Sequence, residues 1–298
     1  MKYALYTGCA AKGACPELYQ STVAVARKLD IEIVEMMDAA CCGAGVVAEA
    51  DPDLQLAINV RTFAQAEAQG LNIMTICGTC QGVMGMAHHR LSNEEGLLDR
   101  INKILEPEGI RYEGRVEIKH LLWIINGELG LDRLREKVTR PLENLRIAPF
   151  YGCYILRPSK YLGFDDPEKP VSLEKLIAAL SASPVDYEGK TKCCGFPVVL
   201  EKEAIAVSMV GNNVKEAKDE LADAMVTPCP LCHMNLDIYQ DKAEKQLDEP
   251  LGMPILHLPQ LIGLALGLEP RELGLKRHLV PTGPVTDKIQ PQKINLKV

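Results

Sequence analysis

No basic block interrupts this sequence. Its 33 lysines and arginines stand against 40 aspartates and glutamates, a net charge of −7, and a chain so balanced is not built around nucleic acid as its main partner. Long apolar runs are missing too. Stretches such as Leu261 to Leu268 fall far short of the roughly 18 residues that span a bilayer, so no direct membrane insertion is expected. No secretion signal opens the chain, and eleven cysteines without one point to a reducing compartment, most simply the cytoplasm, rather than to the disulfide framework of a short secreted domain. Neither a Ser-His-Asp set nor a pair of carboxylates is evident, so no side chain is named as catalyst. What is present is ordinary for a globular chain with a sizeable core: 47% hydrophobic and 24% charged residues over 298 positions, a length that suggests two domains.

The cysteines supply the organisation. Cys9, the adjacent Cys41 and Cys42, and the closing pair Cys77 and Cys80 are matched by Cys153, the adjacent Cys193 and Cys194, and the pair Cys229 and Cys232. The spacing from Cys42 to Cys77 equals that from Cys194 to Cys229, 35 residues, whereas the opening gaps differ, 32 from Cys9 to Cys41 and 40 from Cys153 to Cys193. A repeat whose landmarks are thiols is the duplication of a site. Five thiolates are one too many for a tetrahedral zinc ion, at which adjacent cysteines do not easily point together, and one too many for an ordinary cubane cluster. Soft donors without carboxylates at matching positions leave iron–sulfur chemistry and zinc ahead of hard cations.

Particular motifs narrow this. Tyr6-Thr7-Gly8-Cys9, Ala40-Cys41-Cys42-Gly43, Cys153-Tyr154-Ile155-Leu156-Arg157-Pro158, Cys193-Cys194-Gly195-Phe196-Pro197 and Pro228-Cys229-Pro230-Leu231-Cys232-His233 resemble the tandem CCG domains of the heterodisulfide reductase B-subunit family, from Tyr3 to about Leu268. The resemblance implies that each five-cysteine set holds a noncubane [4Fe-4S] cluster: Cys9, Cys41, Cys42, Cys77 and Cys80 for one, Cys153, Cys193, Cys194, Cys229 and Cys232 for the other. It implies that a disulfide is cleaved between them. One departure is a stretch between double cysteine and closing pair about a residue shorter than the family pattern. The opening Gly8-Cys9-Ala10-Ala11-Lys12-Gly13-Ala14-Cys15-Pro16-Glu17-Leu18-Tyr19 and the closing Cys77-Gly78-Thr79-Cys80-Gln81-Gly82-Val83-Met84 are most similar to the heterodisulfide reductase-like (sHdr-type) B subunits of sulfur oxidisers. That implies a disulfide, persulfide or lipoyl-type sulfur carrier as substrate, with a C-like ferredoxin subunit and an A-like flavin subunit as partners. Two other classes stay open: a CCG electron-relay subunit of a succinate dehydrogenase-like or glycolate/lactate oxidase complex, and a zinc-stabilised scaffold.

Alternating strand and helix patterns predict two pseudo-symmetric parallel-sheet α/β domains, 1–140 and 141–298 with a C-terminal tail, whose cysteines sit at strand ends. Strands are expected at Met1–Tyr6, Ile31–Met36 and Leu71–Ile76, then at Arg146–Phe150, Val185–Tyr187 and Ala224–Thr227. Helices are expected at Glu17–Leu29, from Asp51-Pro52 to about Ala68 with Asp51 as cap, at Val171–Leu180 capped by Ser172, and at Glu201–Leu221. His120 and His257 each precede an apolar helical run, and a polar link with Pro141 runs from Asp132 to Leu145.

Residues beside the cysteines have further readings. Gly43, Gly45 and Gly195 let backbone approach a bulky cluster and offer it N–H groups, and Pro197, Pro228 and Pro230 stiffen the loops. Cys15 is either a redox thiol of lowered pKa at a helix start or a buried small residue; its lack of a counterpart in the second half favours burial. His233 is a proton donor or, more ordinarily, a packed histidine. His88 and His89 read as exposed. Lys12, Arg157 and Lys192 either offset thiolate charge or hold a substrate carboxylate, or are, as the default, solvated surface charges. The segment Pro270–Val298, with Arg271, Lys276, Arg277, Lys288, Lys293 and Lys297, is expected to wrap the body or to trail from it.

Overall fold

Short strands buried on both faces set the architecture. In a computed structural model, which describes residues 1–289, the strands are β1 (Lys2–Tyr6), β2 (Glu32–Glu35), β3 (Asn72–Thr75), β4 (Ile118–His120), β5 (Arg146–Pro149), β6 (Ser183–Pro184), β7 (Ala224–Thr227) and β8 (Ile255–His257). They form two four-stranded sheets of equivalent order, β2-β1-β3-β4 and β6-β5-β7-β8, and every pairing is parallel. The centre strands are continuously apolar because helices cover both faces: Tyr3 to Tyr6 and all four residues of β7 are buried. The expected fold class is the observed one.

Two strands escaped the sequence reading. β4 and β8 have three residues each, too few for a period to show, and each runs directly into the helix that its histidine precedes. The strand expected at Val185–Tyr187 is instead β6, two residues earlier. A helix at Leu131–Lys137 occupies the start of the expected link.

Helix ends follow local chemistry. Asp51 caps Pro52–Ala68 by accepting from the N–H groups of Asp53 and Leu54 at 3.1 and 3.0 Å. Ser172, the expected cap of the helix now bounded as Ser172–Ala179, caps nothing. Asp165, which reaches in from the preceding loop, accepts from Val171 N at 3.1 Å and Ser172 N at 2.9 Å. A capping carboxylate six residues upstream leaves no local spacing to detect.

The two halves interlock. The helix after β8, Leu258–Ala265, packs against Pro16–Lys28 of the first half, and the helix after β4, Leu121–Ile124, packs with the turn that follows it against Ser172–Ala179 of the second. One apolar cluster therefore contains Leu18, Leu122, Leu176 and Leu261, all buried. Burying each such side chain is worth about 1.5–3 kcal/mol, and here that gain holds one half to the other. The chain beyond Pro270 also lies on the body: Gln20 donates to the carbonyls of Arg271 and Glu272, Asp237 accepts from Leu279 N and Val280 N, and Gly283–Ile289 is helical. Lys293 and Lys297 lie outside the described residues.

Replacing Asp165 with Ala is expected to cost about 0.5–2 kcal/mol, the usual loss for an N-terminal cap, while Asp165→Asn retains most of the stability. Urea unfolding of the three proteins measures the difference, and an Asp165→Ala midpoint equal to that of the parent would refute the assignment.

Candidate functional site

All ten repeated cysteines meet where the carboxyl ends of the two sheets face each other. Cys9, Cys41 and Cys77 follow β1, β2 and β3, and Cys153, Cys193 and Cys229 follow β5, β6 and β7, the position at which parallel sheets place their sites. In the first half Cys9 Sγ lies 3.8 Å from Cys41 Sγ, and Cys42 Sγ lies 3.6 Å from Cys80 Sγ. Cys80 also contacts Cys77. The second half repeats these contacts, Cys153 with Cys193, Cys194 with Cys232, and Cys232 with Cys229. The adjacent cysteines thus fan to opposite sides of one set, Cys41 toward Cys9 and Cys42 toward Cys80. The halves join through sulfur as well: Cys77 Sγ is 3.9 Å from Cys229 Sγ.

Burial divides the thiols. Cys42, Cys77, Cys80, Cys194, Cys229 and Cys232 are buried, Cys153 and Cys193 are half-buried, and Cys9 and Cys41 are exposed, so the seam has a closed floor and an open rim. Thiols this close share protons. Hydrogen bonds from Cys42 and Cys9 hold Cys41 far below the ordinary thiol range, and those from Cys153 and Cys194 do the same for Cys193. The partners Cys9 and Cys153 are pushed up, chiefly by donating to those sulfurs. Cys229 is held down by Cys232 and Cys77. Two helices, Gly78–Asn93 and Pro230–Ile238, begin with Cys77 and Cys229 as their N-caps, which turns the positive ends of their dipoles toward the sulfurs; Cys229 is held low, whereas Cys77, which donates to it, is pushed up. An all-thiol donor set suits a soft, sulfur-loving metal group, whose binding would displace the protons the sulfurs share.

Several residues that the sequence reading passed over shape this seam. Thr79 Oγ1 lies 3.4 Å from Cys229 Sγ, and the Pro228 carbonyl accepts from Gly78 N at 3.1 Å and meets His120 Nε2 at 3.0 Å. Buried amides pin the double cysteines: Asn59 donates to the Cys42 carbonyl, Asn213 to that of Cys193 and Asn235 to that of Cys194. Their signal was a polar amide on the apolar face of a helix. Gly8 and Gly152, directly ahead of the first cysteine of each set, have φ of +64° and +69°, and a Cβ there would lie 3.1 Å from Cys80 Sγ and 2.8 Å from Cys232 Sγ. Only glycine lets the first cysteine loop pass over the closing pair.

Of the expected glycine contacts, Gly43 and Gly195 each direct an N–H to a sulfur, Cys41 and Cys193, whereas Gly45 starts the helix Val46–Ala50. Lys12, Arg157 and Lys192 do not neutralise the thiols; they are paired with Glu35, Glu168 and Glu216. His88 and His89 are half-buried rather than exposed, with edges against Phe63 and Tyr161. Cys15 is buried, and its thiol is not lowered but pushed up to about 12 by burial and by Glu17. Burial withdraws it from water more strongly than the helix start favours its charge.

Comparison with known proteins agrees with this duplication. The family model CCG, a cysteine-rich domain, matches residues 3–85 and again 147–237. The chain is 39% identical over 279 residues to the 8-methylmenaquinol:fumarate reductase membrane anchor subunit of Wolinella succinogenes, covering 94% of this chain and 97% of that protein. It is 30% identical over 282 residues to the B subunit of the ferredoxin:CoB-CoM heterodisulfide reductase of Methanosarcina mazei, covering 94% of each. A hypothetical protein from Helicobacter pylori of known crystal structure shares the fold, with a TM-score of 0.76 at 17% identity over 94% of this chain; the present chain spans about half, 52%, of that one. No helix among the described residues is long and apolar enough to cross a membrane.

Gly152→Ala is expected to destabilise the protein by about 1–3 kcal/mol through overpacking against Cys232, whereas Gly13→Ala, whose Cβ meets nothing within 4 Å, leaves stability within about 0.5 kcal/mol. Equal urea midpoints for the two variants would contradict the close approach.

Proposed function

This chain belongs to the heterodisulfide reductase B-subunit family of tandem cysteine-rich domains, and from that premise we propose that it is the iron–sulfur subunit at which a sulfur–sulfur bond is cleaved or formed. Cys9, Cys41, Cys42, Cys77 and Cys80 in domain 1–140 hold one noncubane [4Fe-4S] cluster, and Cys153, Cys193, Cys194, Cys229 and Cys232 in domain 141–298 hold the other. When bound, such clusters supply single-electron chemistry at sulfur, two electrons in all for one disulfide.

The observation that carries this reading is the seam itself: two five-thiol sets in contact at Cys77 and Cys229, 3.9 Å apart, under a rim open at Cys9 and Cys41. On this reading a substrate enters at Cys9 and Cys41 of the first set and meets the second set at the half-buried Cys153 and Cys193. The residues of the chain position it and exclude water: Thr79 and the Pro228 carbonyl tie the two sides of the floor together, and the buried amides keep the double cysteines in place. The reaction balances as one disulfide, two electrons and two protons giving two thiols, or the reverse. The substrate is a disulfide, a persulfide or a lipoyl-type sulfur carrier, and in sulfur oxidation the electrons leave through a ferredoxin-like subunit to a flavin subunit. A reducing cytoplasm would keep the ten thiols available.

The kinship with a subunit of a fumarate reductase favours a second reading, a relay that passes electrons within a quinone-linked complex without touching sulfur. Titrating candidate disulfides into the anaerobically purified, reduced protein separates the two. Under the first reading the visible and electron paramagnetic resonance spectra change with disulfide, and thiol appears; a spectrum indifferent to every disulfide tried leaves the relay.

The cofactor assignment has its own test. Anaerobic protein is expected to be brown and to contain about eight iron and eight inorganic sulfide per chain, and Cys193→Ser is expected to lower both by about half. Colourless protein with about one iron or fewer per chain would remove the cluster assignment.

A further inference from the structure

The eleventh cysteine belongs to a different gathering of side chains. Cys15 is the N-cap of Pro16–Lys28 and Glu17 stands in the first turn of that helix. Because the helix packs against the closing helix of the second half, both residues come against His233, on Pro230–Ile238, and His257, the last residue of β8. All four are buried, and one donor atom from each lies within 4.8 Å of every other. Glu17 Oε1 is 3.2 Å from His257 Nε2, the His233 and His257 rings stack with centroids 3.7 Å apart, and His233 Nδ1 has no hydrogen-bond partner. The other ring nitrogen of His233 is engaged by His278, 3.1 Å away, which is held in turn by Gln260 at 2.9 Å.

The duplication supplies an internal control. The counterpart of His257 is His120, whose Nδ1 accepts from Leu122 N and whose Nε2 meets the Pro228 carbonyl. The counterpart of His233, as the residue after the closing cysteine, is Gln81, which bonds to Thr75 and to the Ile118 carbonyl. Protein groups satisfy both. Among the described residues only the second half's pair meets a thiol and a carboxylate, and each of its two imidazoles has a ring nitrogen without a hydrogen-bond partner. Buried polar atoms are normally paired, and a metal-bound histidine typically engages a neighbour through its second nitrogen, as His233 does with His278.

We propose that Cys15, Glu17, His233 and His257 form a four-coordinate site for a zinc-class divalent cation, separate from the ten-cysteine seam. The donor set of one sulfur, one oxygen and two nitrogens is of the kind zinc takes, whereas calcium and magnesium require oxygen. Thiolate and carboxylate together balance the charge of the ion, which leaves the buried site neutral. Binding releases the Cys15 proton. Two ligands come from the opening helix of the first half and two from the second half, so the ion staples the halves beside the seam. The site does not depend on the iron–sulfur reading, since none of its ligands is among the ten cysteines.

The test is diffraction from crystals of the anaerobically prepared holoprotein at energies just above and just below the zinc absorption edge. An anomalous difference peak among Cys15, Glu17, His233 and His257 is expected; peaks only at the ten-cysteine sets, or none in protein produced with zinc supplied, would overturn the site. Metal analysis complements it. About one zinc per chain is expected beside the iron, and the double variant Glu17→Gln, His257→Asn should lose the zinc and keep the iron. Zinc retained by that variant argues against the site. In case the double variant does not fold, cobalt-substituted protein should show a near-ultraviolet thiolate-to-metal band that Cys15→Ser removes; a band unchanged by Cys15→Ser would equally refute the assignment.

Discussion

Ten thiols forced into contact are the constraint on which this structure turns. Neighbouring sulfurs less than 4 Å apart, such as Cys9 and Cys41 or Cys77 and Cys229, cannot all carry charge, so they either share protons or give them up to a metal group. The fold answers this in two ways. The N-terminal ends of Gly78–Asn93 and Pro230–Ile238 lower the cost of negative charge, and N–H groups from Gly43 and Gly195 point at Cys41 and Cys193, two thiols held low. A seam of this kind needs rigid walls, because a small parting of the two sheets would separate its floor.

Those walls come from exchange between the halves. Each half is an incomplete layer: Pro16–Lys28 of the first is covered by Leu258–Ala265 of the second, and Ser172–Ala179 of the second by Leu121–Ile124 of the first, so the apolar core around Leu18, Leu122, Leu176 and Leu261 closes only when both are folded. The duplication therefore supplies more than two copies of a site: it makes each copy a structural requirement of the other. At the centre the symmetry is broken by small means. Thr79 sits inside the first closing pair where Leu231 occupies the second, and the Pro228 carbonyl takes up both Gly78 and His120.

The same break in symmetry leaves one half with buried imidazoles whose counterparts in the other half are fully paired. His120 and Gln81 are satisfied by backbone and hydroxyl groups, whereas His257 and His233 face a carboxylate and a thiol contributed from across the interface. Burial keeps these imidazoles from protonating, which leaves nitrogen lone pairs in the interior of the protein.

Spacing alone made the site legible. Cysteines repeated at a common interval, glycines beside them and short apolar strands ahead of them announce two parallel α/β layers with thiols at their carboxyl ends, because those patterns depend on residues close together in the chain. Asp51 could be read as a cap for the same reason. What depends on distant partners could not be read. Asp165 replaces Ser172 as a cap through a loop; β4 and β8 exist only because β3 and β7 offer edges to three residues; Cys15 is buried, as its lack of a counterpart suggested, but the helix from the other half that covers it could not be foreseen; Lys12, Arg157 and Lys192 are spent on carboxylates. By itself the sequence determined that two sets of five thiols exist and on which strand ends they stand, since local backbone geometry decides that. Only the tertiary structure decided that the sets touch at Cys77 and Cys229 and that Cys15 and Glu17 meet His233 and His257, because both contacts arise from packing one half against the other, across separations that no periodicity spans.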